Sequence, residues 1–267
     1  MDTIFVPPAP RLAVDHMGSG PLVVFLHGVR GNRRNWQPNL PALAGEFHVA
    51  AWDARGYGES EDVDGPRAFD DFRDDLLRVV DHFGAEKAHL VGLSMGGRIA
   101  AAFHAAYPAR VASLVLCDTH MGFAHFTAEQ QRAFIAARRD PLLAGQTPAE
   151  IAPDLARSLI GDPDDRPVFE ALVDSLSRLR PESYIRTLEA SVDLDQAALF
   201  DDVRVPTLVL TGSLDRLTPP RLAEKIAARI PGSELAILEG AGHLSNIERP
   251  AAFNRLVLDF LQRAEAR

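Results

Sequence analysis

Short apolar runs alternate with segments of helical periodicity along most of this chain. The apolar runs predict strands that are buried on both faces of a sheet. They are residues 22–26, 47–52, 88–91, 111–117, 206–211 and 234–238. Strands that alternate with helices are typical of a doubly wound, mostly parallel sheet, so the pattern predicts an α/β fold.

The remaining regular elements follow from spacing and from turn residues. Apolar residues three or four positions apart predict helices. These helices are residues 35–44, 72–83, 220–230 and 250–263. Residues 11–16 alternate weakly and lead into Gly18-Ser19-Gly20-Pro21, which predicts a strand and a hairpin-like turn.

Residues 119–199 differ from the rest of the chain because they contain no convincing strand pattern. Their helical pattern is expected to break at the prolines, which are Pro141, Pro148, Pro153, Pro163, Pro167 and Pro181. A sheet cannot hold such a block inside itself, so the block is expected to cover the carboxyl edge. This predicts a core domain of residues 1–118 and 200–267 and a helical cap of residues 119–199. The cap is expected to act as a lid that a short linker can replace while the core still folds.

The stretch around Ser94 carries the strongest chemical signal. A predicted strand ends at Val91, Gly92-Leu93-Ser94-Met95-Gly96 matches G-x-S-x-G, and a helix rich in small residues follows. In this strand–turn–helix context the motif predicts a nucleophilic serine at a helix N-terminus. The backbone N–H of Met95 then points to where an oxyanion would form.

Composition and charge argue against several classes of binding partner. Lys and Arg total 28 against 37 Asp and Glu, a net charge of −9, and no basic stripe stands out, so nucleic acid is not an expected partner. No apolar run approaches a membrane span, and the first residues lack a signal-peptide pattern. The single cysteine, Cys117, excludes an internal disulfide, so we expect a cytoplasmic protein without a membrane partner. Metal-ligand spacings and phosphate-binding loops are absent from the sequence, so neither a metal nor another cofactor is expected.

Four motifs together resemble those of the α/β-hydrolase superfamily. In chain order they are His27-Gly28, Asp53-x-Arg55-Gly56-x-Gly58-x-Ser60, the motif around Ser94, and Gly240-Ala241-Gly242-His243. The resemblance covers nearly the whole chain and implies a helical cap inserted after the sixth strand. It is closest to 3-oxoadipate enol-lactonases and small carboxylesterases. It also implies that the N–H of Val29 is the second oxyanion donor.

A nucleophilic serine needs a base that takes its proton, and the base needs an acid that holds its tautomer. His243 is the expected base because it lies in a glycine-rich loop just past a predicted strand. Asp215 follows the strand at 206–211, and the order Ser94, Asp215, His243 matches the α/β-hydrolase order. Asp118, which follows the strand ending at Cys117, remains an alternative acid.

Residues near the motifs are candidates for substrate contacts. Arg30 lies beside the oxyanion turn and has the chemistry to pair with a substrate carboxylate. His120 and His125 lie at the start of the cap, with Phe123 and Phe126 close by. The expected substrate is a small ester or lactone, cleaved through an acyl-enzyme. The alternatives are C–C bond hydrolysis of a ring-cleavage diketone, perhydrolysis, and ligand binding with little turnover.

Overall fold

One sheet organises the part of the chain that the structure describes. The structure is a computed structural model and describes residues 1–123, 126–192 and 195–266. Within these residues the sheet has eight strands. They are β1 (Asp2–Val6), β2 (Leu12–Met17), β3 (Leu22–Leu26), β4 (His48–Trp52), β5 (Ala88–Leu93), β6 (Val111–Cys117), β7 (Thr207–Gly212) and β8 (Glu234–Leu238).

The strands lie in the order β1-β2-β4-β3-β5-β6-β7-β8. β1 pairs antiparallel with β2, and β2 pairs antiparallel with β4. All pairings from β4 to β8 are parallel. The predicted α/β class with a mostly parallel sheet is therefore confirmed, and the loops after β3, β5, β6, β7 and β8 meet at one edge.

Helices join most of these strands. The α-helices of the described chain are α1 (Leu40–Leu43), α2 (Asp70–His82), α3 (Met95–Ala106), α4 (Ala128–Leu143), α5 (Pro148–Leu159), α6 (Arg166–Ser177), α7 (Pro181–Val192), α8 (Ala197–Asp201), α9 (Pro220–Arg229), α10 (Ser245–Glu248) and α11 (Pro250–Glu265). None of the helices in the described ranges is long and apolar enough to cross a membrane.

The sheet separates two apolar cores, because successive side chains of a strand point to opposite faces. Leu22, Val24 and Leu26 of β3 pack into one core, together with residues of α2, α3 and α9. Val23 and Phe25 of the same strand pack into the other core, with residues of α1 and α11. Both faces are covered by helices, which explains why the strands read as continuous apolar runs.

One expectation for the first part of the chain was wrong, and one strand was not predicted. Residues 18–21 do not make a hairpin, because β2 pairs with β1 and β4 while β3 pairs with β4 and β5. β1 was not predicted, since most of its residues are exposed and its apolar pattern is weak. An edge strand has one free side and needs little apolar sequence to hold it.

Several helices differ from the predicted ones, and the differences involve prolines. The predicted helix at 35–44 is two short pieces, a 3-10 turn at Arg33–Trp36 and α1 with a proline in its first turn. Pro141 and Pro153 do not break the cap helices but lie inside α4 and α5. In α5 the residues that hold the helix in place are buried on both sides of Pro153, so packing compensates for the lost backbone hydrogen bond.

The helices α4 to α8 follow the sixth strand, as the resemblance implied. They also contribute to one of the two cores of the sheet, since Tyr184, Leu188 and Phe200 pack in the core that contains residues of α3. The segment is therefore packed on the sheet domain as well as on itself.

Candidate active site

The turn between β5 and α3 holds Ser94 in an unusual backbone conformation. Ser94 has φ 54° and ψ −114°, a region that residues with a side chain rarely occupy. Its N–H donates to Cys117 O at 2.8 Å, and Thr119 Oγ1 donates to its carbonyl at 2.6 Å. The backbone of the serine is thus held by the last residue of β6 and by Thr119 in the loop that follows it.

The glycines of the motif are required by close packing. A Cβ at Gly92 would overlap the backbone of Gly96, and a Cβ at Gly96 would overlap the carbonyl of Leu26. The sharp turn is possible only because both positions lack a side chain. Met95 is the first residue of α3, so its N–H has no carbonyl partner within the helix.

His243 and Asp215 form a buried pair. His243 Nδ1 lies 2.9 Å from Asp215 Oδ2, and both side chains are almost fully buried. Asp215 also accepts hydrogen bonds from Thr218 Oγ1 at 2.6 Å and from the N–H groups of Leu217 and Thr218. These donors fix the carboxylate, which in turn favours the His243 tautomer with the proton on Nδ1.

The charges of this pair shift the pKa values of both groups. Burial acts to lower the pKa of His243, but the charge and hydrogen bond of Asp215, with the charge of Asp118, raise it above 6.5. Burial acts to raise the pKa of Asp215, but the charge of His243 and the hydrogen bonds to the carboxylate lower it below its usual value. The arrangement therefore stabilises an imidazolium beside a carboxylate.

Asp118, the alternative acid, has other partners. It accepts hydrogen bonds from Gly212 N at 2.9 Å and from Ser245 Oγ at 2.5 Å. Complete burial and the nearby charge of Asp215 raise the pKa of Asp118 to about 7. Asp118 thus ties the loop after β6 to the loop after β7 and to the residues after His243, and it is Asp215 that contacts the imidazole.

The loop after β3, which contains Val29, is held by His27. His27 accepts a hydrogen bond from Ala54 N at Nε2 (3.0 Å), and its Nδ1 lies 2.7 Å from Gly28 O. Burial lowers the pKa of His27, which agrees with a neutral ring that donates from Nδ1 and accepts at Nε2. His27 therefore holds the turn in place, as a structural residue of the loop.

Two cavities meet at Ser94. The first is lined by Ser94, His243, Trp36 and leucines from the cap and from the loops. The second, the larger of the two, is lined by Ser94, Met95, three arginines and aromatic residues of the cap. Ser94 and Val29 belong to the lining of both cavities.

Four of the predicted substrate contacts lie at the larger cavity. Arg30, His120, Phe123 and Phe126 line it, and Arg30 also lines the smaller one. His120 and Phe123 stack edge to face with ring centroids 4.7 Å apart. His125 lies outside the described residues. The sequence pattern therefore predicted residues that the fold brings together.

A buried glutamate and the end of α5 hold the loop of His243. Glu248 Oε2 accepts from Gly161 N at 2.8 Å and from Gly242 N at 2.9 Å, and Oε1 accepts from Leu244 N at 3.2 Å. The N–H of His243 donates to the carbonyl of Leu159 at 2.7 Å. His243, before α10, and Glu248, the last residue of α10, are thus bound directly to the segment between β6 and β7.

These contacts were not predicted from the sequence. Glu248 follows Gly242 by six residues, but a single carboxylate gives no pattern from which to infer its partners. Thr218 follows Asp215 by three residues, a spacing that suits a side-chain hydrogen bond and was the available signal. Within the described ranges, no group of three or more His, Cys, Asp or Glu side chains is arranged to hold a metal ion.

Comparison with known proteins identifies the family. The family model described as alpha/beta hydrolase fold matches residues 21–250. The chain belongs to the α/β hydrolase fold family. It is accordingly a hydrolase of this fold, with relatives that act on different bonds.

Three similar proteins illustrate that range. The chain is 30% identical to a 2-hydroxy-6-oxononadienedioate/2-hydroxy-6-oxononatrienedioate hydrolase of Klebsiella pneumoniae, over 95% of this chain and 92% of the relative. It is 27% identical to 3-oxoadipate enol-lactonase 2 of Acinetobacter baylyi, over 91% and 89% of the two chains. The structure of a thermophilic esterase from Thermogutta terrifontis superposes with a TM-score of 0.90 at 28% identity, covering 99% of each chain.

Proposed function

We propose that this protein is a serine hydrolase that cleaves a small carboxylic ester or lactone, with Ser94, His243 and Asp215 as its catalytic triad. The single observation that carries the proposal is that Ser94, on its strained turn, shares a cavity with His243, whose Nδ1 contacts a buried carboxylate. A serine, a base and an acid in this relation support nucleophilic catalysis. The similarity to an enol-lactonase and to a solved esterase is in keeping with it.

In the proposed mechanism Ser94 attacks the carbonyl carbon while Nε2 of His243 takes its proton. The tetrahedral oxyanion accepts hydrogen bonds from the N–H groups of Met95 and Val29. The intermediate collapses when His243 protonates the leaving oxygen, which leaves an acyl group on Ser94. Water, activated by His243, then attacks the acyl group, and the acid and Ser94 are released.

Hydrolysis of a C–C bond is the second candidate function. It is favoured by the similarity to the Klebsiella pneumoniae hydrolase, whose identity is the higher of the two curated relatives described above. The same serine and histidine would serve: Ser94 attacks the ketone carbon, the C–C bond breaks, and the leaving carbon, whose electron pair the second carbonyl group stabilises as an enolate, takes the proton from His243. The substrates, not the triad, distinguish the two functions.

We further propose that residues 119–199 form a lid domain over the core of residues 1–118 and 200–267. Its support is that helices of this segment contribute to both cavities around Ser94, with Leu159, Leu172 and Leu176 in the smaller cavity and Phe134 and Leu188 in the larger one. The inner face of the lid would then determine which substrates reach the serine.

The test is a parallel rate measurement on p-nitrophenyl esters, lactones and a ring-cleavage diketone. We expect kcat/KM for the esters or lactones to exceed that for the diketone. Ser94→Ala should reduce the rate by several orders of magnitude, because the nucleophile is removed while the binding contacts remain. Retention of more than about a tenth of the wild-type rate would exclude Ser94 as the nucleophile, and a preference for the diketone would favour the second candidate.

A further inference from the structure

The larger cavity at Ser94 is lined by three arginines from three separate elements. Arg30 follows β3, Arg98 lies in the second turn of α3, and Arg138 lies in α4. Arginine side chains are usually exposed or paired with acids, because a buried cation without a counter-charge is costly. What each guanidinium contacts therefore decides whether this cavity is suited to an anion.

Arg98 is the most buried of the three, with 2% of its surface exposed. Its Nε donates to Gln196 Oε1 at 2.6 Å and its Nη2 donates to Ser191 O at 3.0 Å. Its guanidinium also lies against the rings of Phe69 and Phe123. Burial lowers the pKa of Arg98 to about 10, because desolvation disfavours the charged guanidinium.

Arg138 and Arg30 also have neutral partners. The guanidinium of Arg138 stacks on the Phe134 ring, 3.5 Å from its centroid, and Nη1 donates to Phe134 O. Arg30 donates to the hydroxyl of Tyr184 at 2.9 and 2.7 Å. Burial, followed by the repulsion from Arg30, lowers the pKa of Arg138 to about 10, so the two cations act on each other across the cavity.

Other arginines of this chain with little exposure are paired with carboxylates. Arg33 pairs with Asp15 and Asp53, and Arg55 pairs with Asp75. Within the described ranges, no such ion pair is found for the three arginines of the cavity, in a protein whose net charge is −9. The fold thus concentrates uncompensated positive charge beside the serine while acids are abundant elsewhere.

We propose that the larger cavity binds a carboxylate of the substrate, held by Arg98 and Arg138, while the reacting carbonyl lies at Ser94. The inference rests on the proposed function and names its substrate class: esters or lactones whose molecule carries a second, anionic carboxyl group. Guanidinium groups form charge-assisted, bidentate hydrogen bonds with carboxylates, and these bonds strengthen where water is excluded. The apolar lining of the smaller cavity suits the uncharged part of the same molecule.

The experiment compares two substrates that differ only in charge. One is the mono-p-nitrophenyl ester of succinic, glutaric or adipic acid, and the other is the corresponding ester whose free carboxylate is a carboxamide. The carboxamide has nearly the same size, so length and shape are matched. At the best chain length we expect kcat/KM for the carboxylate to be about 10- to 100-fold higher, the range given by a hydrogen bond to a charged group.

Variants of the cavity identify the groups responsible. Arg138→Met and Arg98→Met should each reduce this preference about tenfold or more. Arg132→Met is the matched control, because Arg132 is exposed on the same helix as Arg138, and it should keep the wild-type preference. Should Arg98→Met fail to fold, Arg138→Met and competitive inhibition of wild type by glutarate against glutaramate give the same comparison.

The outcomes separate this inference from the proposed function. A wild-type preference below twofold at every chain length, or an unchanged preference in both Arg98→Met and Arg138→Met, would overturn the carboxylate site while leaving ester hydrolysis intact. If no ester is cleaved, the proposed function fails. The site is then judged by calorimetric titration with glutarate, which should bind wild type at least tenfold more tightly than Arg138→Met, and equal binding overturns it.

Discussion

Glu248 offers a direct test of how the loop of His243 is held. Its carboxylate accepts hydrogen bonds from three backbone N–H groups, those of Gly161, Gly242 and Leu244. In Glu248→Gln one acceptor oxygen remains and an NH₂ group faces at least one of these donors. A hydrogen bond to a charged group contributes about 1.5–3 kcal/mol, so we expect the free energy of unfolding to fall by about 2–4 kcal/mol.

The same substitution should slow catalysis in the protein that remains folded. Gly242 and Leu244 flank His243, so loss of their common acceptor lets the imidazole move relative to Ser94. A misplacement of about 1 Å costs on the order of 100-fold in rate, which sets the expected drop in kcat. KM should change less, because Glu248 does not line either cavity.

Urea unfolding and steady-state kinetics measure the two effects separately. Glu239→Gln is the matched control, since Glu239 is exposed between β8 and His243, and it should match wild type in both assays. An unfolding free energy within about 0.5 kcal/mol of wild type would refute the hydrogen-bond argument. Reduced stability with an unchanged kcat would make Glu248 a structural residue only.

Three further predictions concern the acids, the base and the lid. Asp215→Asn should lower kcat by about 10⁴-fold, whereas Asp118→Asn should lower it much less, and kinetics on a p-nitrophenyl ester decides between them. Because His243 must be neutral to accept a proton and its pKa is raised, kcat/KM should fall as the pH drops through a midpoint above 6.5, and that midpoint should move down in Asp215→Asn. Replacing residues 119–199 by a linker removes the carbonyl of Leu159, which accepts the hydrogen bond from the N–H of His243. Because His243 is then less well positioned, Ser94 should react at least tenfold more slowly with a phosphonylating reagent. An unchanged rate would contradict the role of this hydrogen bond in positioning His243.

Sequence reasoning succeeded for features that depend on residues close together in the chain. The buried strands β3, β5 and β6 follow from their apolar runs, and the turn at Ser94 follows from glycines whose absence of a side chain the packing demands. The catalytic role of Ser94 stays a prediction, as do those of His243 and Asp215, although the fold brings the three residues to one edge of the sheet.

The features that were missed depend on partners far away in sequence. Glu248 acts on Gly161, 87 residues earlier, and Arg98 contacts Gln196, 98 residues later. Neither pairing leaves a periodic signal, because each joins separate elements through a single side chain. The hydrogen bond from His243 N–H to Leu159 O uses only backbone atoms and likewise leaves no signal in the sequence. That the lid can be separated from the core stays a prediction.

The position of Ser94 at the meeting point of the two cavities bears on the second half of the proposed reaction. A substrate that fills both cavities is divided when its bond is cleaved, and only the part attached to Ser94 remains. Departure of the other part empties one cavity while the acyl group still occupies its neighbour. Water can then approach the acyl-enzyme through the vacated space without first displacing the bound group. In the proposed reaction the two cavities would thus give the incoming water a route of its own, which would favour completion of hydrolysis over return of the leaving group.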